Sequence, residues 1–192
     1  IHPISGTLLV DGQEITKDNL RSWQRTVGYV PQSIFLIDAT IKENIALGLE
    51  ADEVDLGRVK EVCRIAQLDG FVEADLPLKY DTIVGEHGVR LSGGQRQRIG
   101  IARALYYDAS LIVFDEATSA LDNATEAEVA AAIAALPANK TVLMIAHRLS
   151  TVQRCDRIVV LDRGHIAGVD TWDALMASNA VFQKIAQVAE AG

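Results

Sequence analysis

The sequence predicts an α/β fold built on a parallel sheet, on three observations. Two continuous apolar runs, Leu111-Ile112-Val113-Phe114 and Thr141-Val142-Leu143-Met144-Ile145-Ala146, have the character of strands buried inside such a sheet. Segments of helical period alternate with them. Val54 to Leu68 puts Leu56, Val59, Val62, Ile65, Ala66 and Leu68 on one face, and Gln95 to Tyr106 buries Ile99, Ala102 and Leu105 on one side. The third observation is Leu91-Ser92-Gly93-Gly94-Gln95, directly ahead of the second helix. Ser92 can cap that helix, the glycines let backbone approach a ligand, and free amides and the helix dipole then face an anion together.

Composition narrows the possibilities. With 192 residues, 49% of them hydrophobic and only 4 prolines, the chain can bury one sizeable core with room for a subdomain. No apolar run approaches the ~18 to 20 residues of a membrane-spanning helix, so a membrane link is expected only through a partner. A formal charge of -8 argues against nucleic acid as a partner, because a duplex is held mainly by basic groups. Cys63 and Cys155 are far apart, form no metal-ligand spacing and suit a reducing, cytosolic compartment.

Taken in order, Ser5 to Ile15 reads as two short strands around an Asp11-Gly12 turn, followed by a short helix over about 18–24. Val27 to Val30 is predicted to be a buried strand ended by Pro31. Gln32 then stands at a strand's carboxyl end, where α/β proteins place ligand-binding groups, and its amide oxygen can meet a metal or a water. Asp115 and Glu116 emerge at the end of the Leu111 strand, and His147 follows the Thr141 strand at the same edge. Adjacent acids could simply cap the next segment. Together with a histidine they could also hold magnesium, polarise a water and donate to a phosphate. Asp122 or Asn123 caps an alanine-rich helix reaching about Leu136. A hairpin with strands over 157–161 and 165–168 and two packing helices between Thr171 and Ala189 complete the scaffold.

The pentapeptide Leu91 to Gln95, with Leu111-Ile112-Val113-Phe114-Asp115-Glu116 at a fitting distance, resembles the signature and Walker B motifs of ABC-type ATPases. Val30-Pro31-Gln32 resembles that family's Q-loop, Ser119-Ala120-Leu121-Asp122 its D-loop and His147 its H-switch. Phe35 to Ile45 and Thr82 to Gly88 look exporter-like, the latter resembling a loop that touches transmembrane coupling helices. The resemblance implies a P-loop NTPase (RecA-like) parallel-sheet core over 1–32 and 96–192. A helical subdomain over 33–95 carries the signature at its end. It implies ATP and Mg2+ as cofactors. Gln32 and Asp115 would serve the metal, with Gln32 also counted as catalytic beside Glu116 for the attacking water and His147 for the γ-phosphate. Ser92, Gly93, Gly94, Gln95 and Asp122 would meet nucleotide shared with a second nucleotide-binding domain. Expected partners are that second domain, most simply as a homodimer, and an exporter's transmembrane domain, at the cytoplasmic face of the membrane.

The 192 residues contain no Gly-x-x-x-x-Gly-Lys-[Ser/Thr] P-loop, which the family places before the Ser5-Gly6 strand, so the chain reads as N-terminally truncated. Losing three or more charge-assisted phosphate bonds removes about 5 to 9 kcal/mol, against about 8 kcal/mol for a micromolar site. The expectation is weak MgATP binding and negligible turnover by this chain alone, with its signature loop still able to act in trans. A missing strand beside Thr141 to Ala146 would leave an inner edge open to self-association. Two other readings stand beside the exporter. One is a non-catalytic module docking on intact nucleotide-binding domains; the other, a DNA-repair or chromosome-organising ATPase, is disfavoured by the lack of heptads and of a basic groove.

Overall fold

The computed structural model describes residues 3–86, 89–116, 123–145 and 149–190. An antiparallel ribbon opens the chain, β1 (Leu9–Val10) against β2 (Gln13–Glu14). Asp11 and Gly12 turn it with φ of 49° and 78°, the pair of left-handed residues a tight hairpin requires. Helix α1 (Leu20–Gln24) leads to β3 (Val27–Val30). Next come β4 (Ala39–Thr40), α2 (Ile41–Ile45), α3 (Leu56–Ile65), α4 (Asp69–Asp75), a 3-10 turn at Lys79–Asp81 and β5 (Ile83–Val84), which pairs with β4. The long helix α5 (Gly93–Tyr106) precedes β6 (Leu111–Asp115). After it lie α6 (Asn123–Ala134), β7 (Thr141–Ile145), α7 (Leu149–Val152), the hairpin β8 (Ile158–Asp162) and β9 (His165–Asp170), then α8 (Trp172–Ser178) and α9 (Ala180–Glu190).

The predicted parallel sheet is present, with order β3-β6-β7 and both pairings parallel. Its burial differs from the expectation of strands covered on both faces. Ile112 and Phe114 are fully buried and alternate with half-buried Leu111, Val113 and Asp115. Tyr29 is exposed on β3, and so are Leu143 and Ile145 on β7. One face rests on α5 and α6, while the other has little cover among the described residues. β7 is also a sheet edge there, which is why a strand read as buried is largely exposed. Ala146, assigned to that strand by its apolar run, lies outside the described residues.

A single core joins sheet and helices. Val30, Ile112 and Phe114 meet Ile99, Ala102 and Leu105 of α5, Val59, Val62 and Cys63 of α3, and Val129 and Ala132 of α6. The α3 face holds as predicted except at Leu56, which is exposed at the helix start beside the cap residue Asp55. Burial pushes the Cys63 thiol up to about 12, so it behaves as a small apolar side chain. A second cluster, Ile158, Val160, Leu175 and Phe182, seals the β8–β9 hairpin under α8 and α9, with Trp172 edge-on to Phe182 at 5.2 Å.

Helix α5 and β3 approach closely. A β-carbon at Gly28 would lie 2.9 Å from Ala104 Cβ, 3.1 Å from the Ala104 carbonyl oxygen and 3.1 Å from Ala109 Cβ. Backbone on the far side cannot yield as a side-chain tip can. Gly28→Ala is therefore expected to destabilise the fold by about 1 to 3 kcal/mol in equilibrium denaturation, the usual cost of overpacking.

A capping box starts α2: the Thr40 hydroxyl and amide both donate to the Glu43 carboxylate, and Glu43 N donates to Thr40 Oγ1. The hydrogen bond from the Thr40 hydroxyl, then that from its amide, hold the Glu43 carboxyl below its ordinary 4.5. A depressed folded-state value means this stabilisation is complete above the unfolded pKa and is lost as pH falls through the folded one. Acid-unfolding curves should show that loss below about pH 4.5, and Glu43→Gln should flatten it.

Candidate functional site

The α5 N-terminus is built by its own sequence. Ser92 is the cap, with φ -64° and ψ 165°; Gln95 N donates to Ser92 Oγ at 3.2 Å, and Ser92 N donates to Gln95 Oε1 at 2.8 Å. The helix begins at Gly93, not beyond the glycines, so Gly93 and Gly94 occupy the first turn. Their amides belong to the set for which a helix supplies no acceptor, and Gly93 is half-buried while Ser92 is exposed. Gln95 closes the capping box through its Oε1. Arg96 Nη1 ties the approach by donating to Leu91 O at 2.6 Å.

The packing fixes which way this end points. Ala104 lies against Gly28, Gly100 against Val30 and Ile34, and Gln97 against Pro31 and Gln32. Ascending β3 thus means descending α5, so the helix N-terminus is at the carboxyl end of the parallel strands. Gln32 follows Val30 at that end and is exposed, and Val30 pairs with Phe114, directly before Asp115. Ser92, Gly93, Gly94, Gln32, Asp115 and Glu116 therefore share one end of the sheet.

Asp115 is half-buried at the tip of β6 and accepts a hydrogen bond from Tyr29 Oη at 2.6 Å. That bond holds the Tyr29 phenol above its ordinary pKa. Tyr29 was not a candidate from sequence: only the β3–β6 register, with Tyr29 opposite Val113, sets it diagonal to Asp115. Glu116 ends the strand with φ 50°, a left-handed conformation unusual for a glutamate, and its amide donates to Ile145 O at 3.0 Å. The turn takes Glu116 out of the strand alternation, separating two adjacent acids into two positions. His147 and Asp122 lie outside the described residues, as do His87 and the remainder of the expected D-loop.

Magnesium suits this donor set. No group of three or more His, Cys, Asp or Glu that could hold a metal occurs among the described residues. Mg2+ usually takes one or two carboxylates and completes its shell with water and phosphate oxygens. Asp115 with a nearby Gln amide matches that habit, and a dedicated all-protein cage would not be expected.

Beside the α5 N-terminus, Phe35 and Leu36 face Gly85, Val89, Arg90 and Arg96 across a groove of about 420 Å³. Phe35 is 73% exposed, so apolar surface adjoins two arginines there. Removing the α5 cap should be measurable in isolation: Ser92→Ala is expected to cost about 1 kcal/mol in chemical denaturation, and Ser92→Gly only a few tenths.

Comparison with known proteins agrees with this geometry. Residues 1–119 match the ABC transporter family. Over 181 residues, 94% of the chain, it is 43% identical to the ATP-dependent lipid A-core flippase of Cupriavidus pinatubonensis, covering 30% of that protein. It is also 43% identical over 175 residues, 91% of the chain, to ABC transporter B family member 22 of Arabidopsis thaliana, covering 14% of it. The solved structure of a bacterial Atm1-family ABC exporter with ATP bound superposes on the whole chain with a TM-score of 0.82 at 37% identity, the chain covering 33% of it. The chain thus spans about a third or less of the length of these relatives. It belongs to the ABC transporter family, with the P-loop NTPase fold of an exporter's nucleotide-binding region.

Proposed function

We propose that these residues form the part of an ABC exporter that binds and hydrolyses ATP with Mg2+ at the cytoplasmic face of a membrane. The observation that carries this reading is the run of α5 against β3, which sets the first-turn amides of Gly93 and Gly94 at the same sheet end as Asp115, Glu116 and Gln32.

Mg2+, when bound, neutralises charge on the phosphates. Asp115, one of whose oxygens accepts from Tyr29, would hold it together with Gln32. Glu116 takes a proton from the attacking water, and His147 donates to the γ-phosphate. Ser92, Gly93 and Gly94, supported by Gln95, offer amides and a hydroxyl to nucleotide held by a second nucleotide-binding domain, most simply a second copy, with Asp122 at the same contact. The core then comprises 1–32 and 96–192, and 33–95 is the helical subdomain. The groove between Phe35 and Arg90 receives the transmembrane partner, because its exposed apolar rim lies in the two segments of exporter character. No helix among the described residues is long and apolar enough to cross a membrane. The flippase name of one relative favours a lipid-linked cargo.

The test is Glu116→Gln in the transporter that carries this chain. Turnover is expected to fall about 10²- to 10⁴-fold, the usual weight of a general base, with ATP affinity retained. Undiminished turnover would refute the assignment and leave the docking-module reading. A calorimetric titration of the 192-residue chain with millimolar MgATP is expected to give no saturable heat.

A further inference from the structure

Gln97 is the polar residue of α5 that the core has enclosed. It is 5% exposed, and its Nε2 donates to Gln32 O at 2.6 Å with Pro31 O at 3.5 Å. Those carbonyls follow the last paired residue of β3, so no strand neighbour in the register accounts for them. The other half of the same amide, Oε1, is buried and has no partner among the described residues. A satisfied structural glutamine would not leave an acceptor orphaned in the core, and an alternative side chain of similar shape would avoid the penalty. The residue is held at its Nε2 end alone, beside backbone that carries an exposed side chain of the site.

Its surroundings make the bond a link and not a local cap. Gly100, one turn along, is so close to the same segment that a β-carbon there would sit 2.4 Å from Ile34 Cδ1. Arg103, two turns along, donates to Phe35 O and Asn44 O. Pro31 to Phe35 therefore lies along α5 from Gln97 to Arg103, and Gln97 is the contact nearest the helix N-terminus. Four residues separate it from Gly93, about 6 Å of helix axis.

We infer that Gln97 is a positioning residue that ties the Gln32 backbone to α5, so that a shift of Gln32 is transmitted to the Ser92-Gly93-Gly94 end of the helix. The biological meaning rests on the ATPase reading above, since it joins two parts of that site; the link itself does not.

The test is a double-mutant cycle read by hydrogen exchange on the 192-residue chain, without nucleotide. Pro31→Gly loosens the segment after β3, and Gln97→Leu removes the link while keeping side-chain volume. In the parent background, Pro31→Gly is expected to speed exchange of the Gln95 to Ile99 amides at least about twofold, the lower range for groups in contact. In the Gln97→Leu background the same change is expected to leave those amides within experimental error. Gln97→Met, which likewise has no donor to offer the two carbonyls, should match Gln97→Leu and covers the case in which one variant folds poorly. Equal responses in both backgrounds, or no response in either, would overturn the inference. Because no turnover is measured, failure of the ATPase reading leaves this outcome unaffected, and failure here leaves the Glu116 test standing.

Discussion

The close contact between α5 and β3 is the constraint on which the rest of the molecule depends. Gly28 and Gly100 allow it, each at a point where a β-carbon would meet its neighbour inside 3 Å. Once the helix lies flush on the strand, its polarity is decided, and its capped end must emerge where the parallel strands end. The Gln97 and Arg103 bonds depend on that contact together, because both reach backbone carbonyls of the same segment. The site is thus an indirect product of small residues in a helix and a strand. None of its own polar groups determines the packing.

The remaining fixings of α5 are mostly charged or amide side chains donating to backbone oxygen, distributed along its whole length. Arg58 donates from Nη2 to Leu105 O and from Nε to Tyr106 O at the C-terminal end, where the helix leaves carbonyls unpaired. Arg98 reaches Gln67 O on one side and Glu128 of α6 on the other, at 2.8 and 2.9 Å. Arg103 is desolvated enough that burial lowers its pKa, yet its bonds to Asn44 O and Phe35 O keep it satisfied. Asn44 is itself fully buried and closes the turn before α2 through Ile37, Ala39 and Thr40. These bonds use carbonyls that have no ladder partner, which is how a helical insertion of several short elements can share one core with a sheet.

Much of this was legible in the sequence, because it depended on local chemistry. The Ser92 cap, the Asp11-Gly12 turn and most of the α3 stripe follow from residue types at short spacing. What sequence could not reveal depended on register or on what lies across the sheet. Tyr29 meets Asp115 only because β3 and β6 pair in parallel with Val30 opposite Phe114. Gln97 is indistinguishable by period from a solvated helix position until the helix is seen against Pro31. Buried strands were overestimated for a related reason: apolar character states what a strand would tolerate, and β7 shows the edge it occupies among the described residues.

The distribution of exposed apolar groups connects that edge to the chemistry. Leu143, Ile145 and Tyr29 lie on the sheet face that also bears Asp115, and the paired register puts Ile145 directly opposite Asp115. On the other side of β7, a cleft of about 690 Å³ runs between α6 and the Thr151 to Arg157 segment, lined by Val142 and Met144. Apolar surface on both faces of one strand costs solubility and contributes nothing while it is wet. Glu116 carries backbone strain at the same point, held there by its bond to Ile145 O. Strain and exposed apolar surface together mark the end of β6 and the length of β7 as the part of the fold least complete in itself. The α5 side, by contrast, is fully packed. Among the described residues the geometry of this sheet end is therefore fixed from the α5 side, because that is where close packing leaves the strands no freedom to shift.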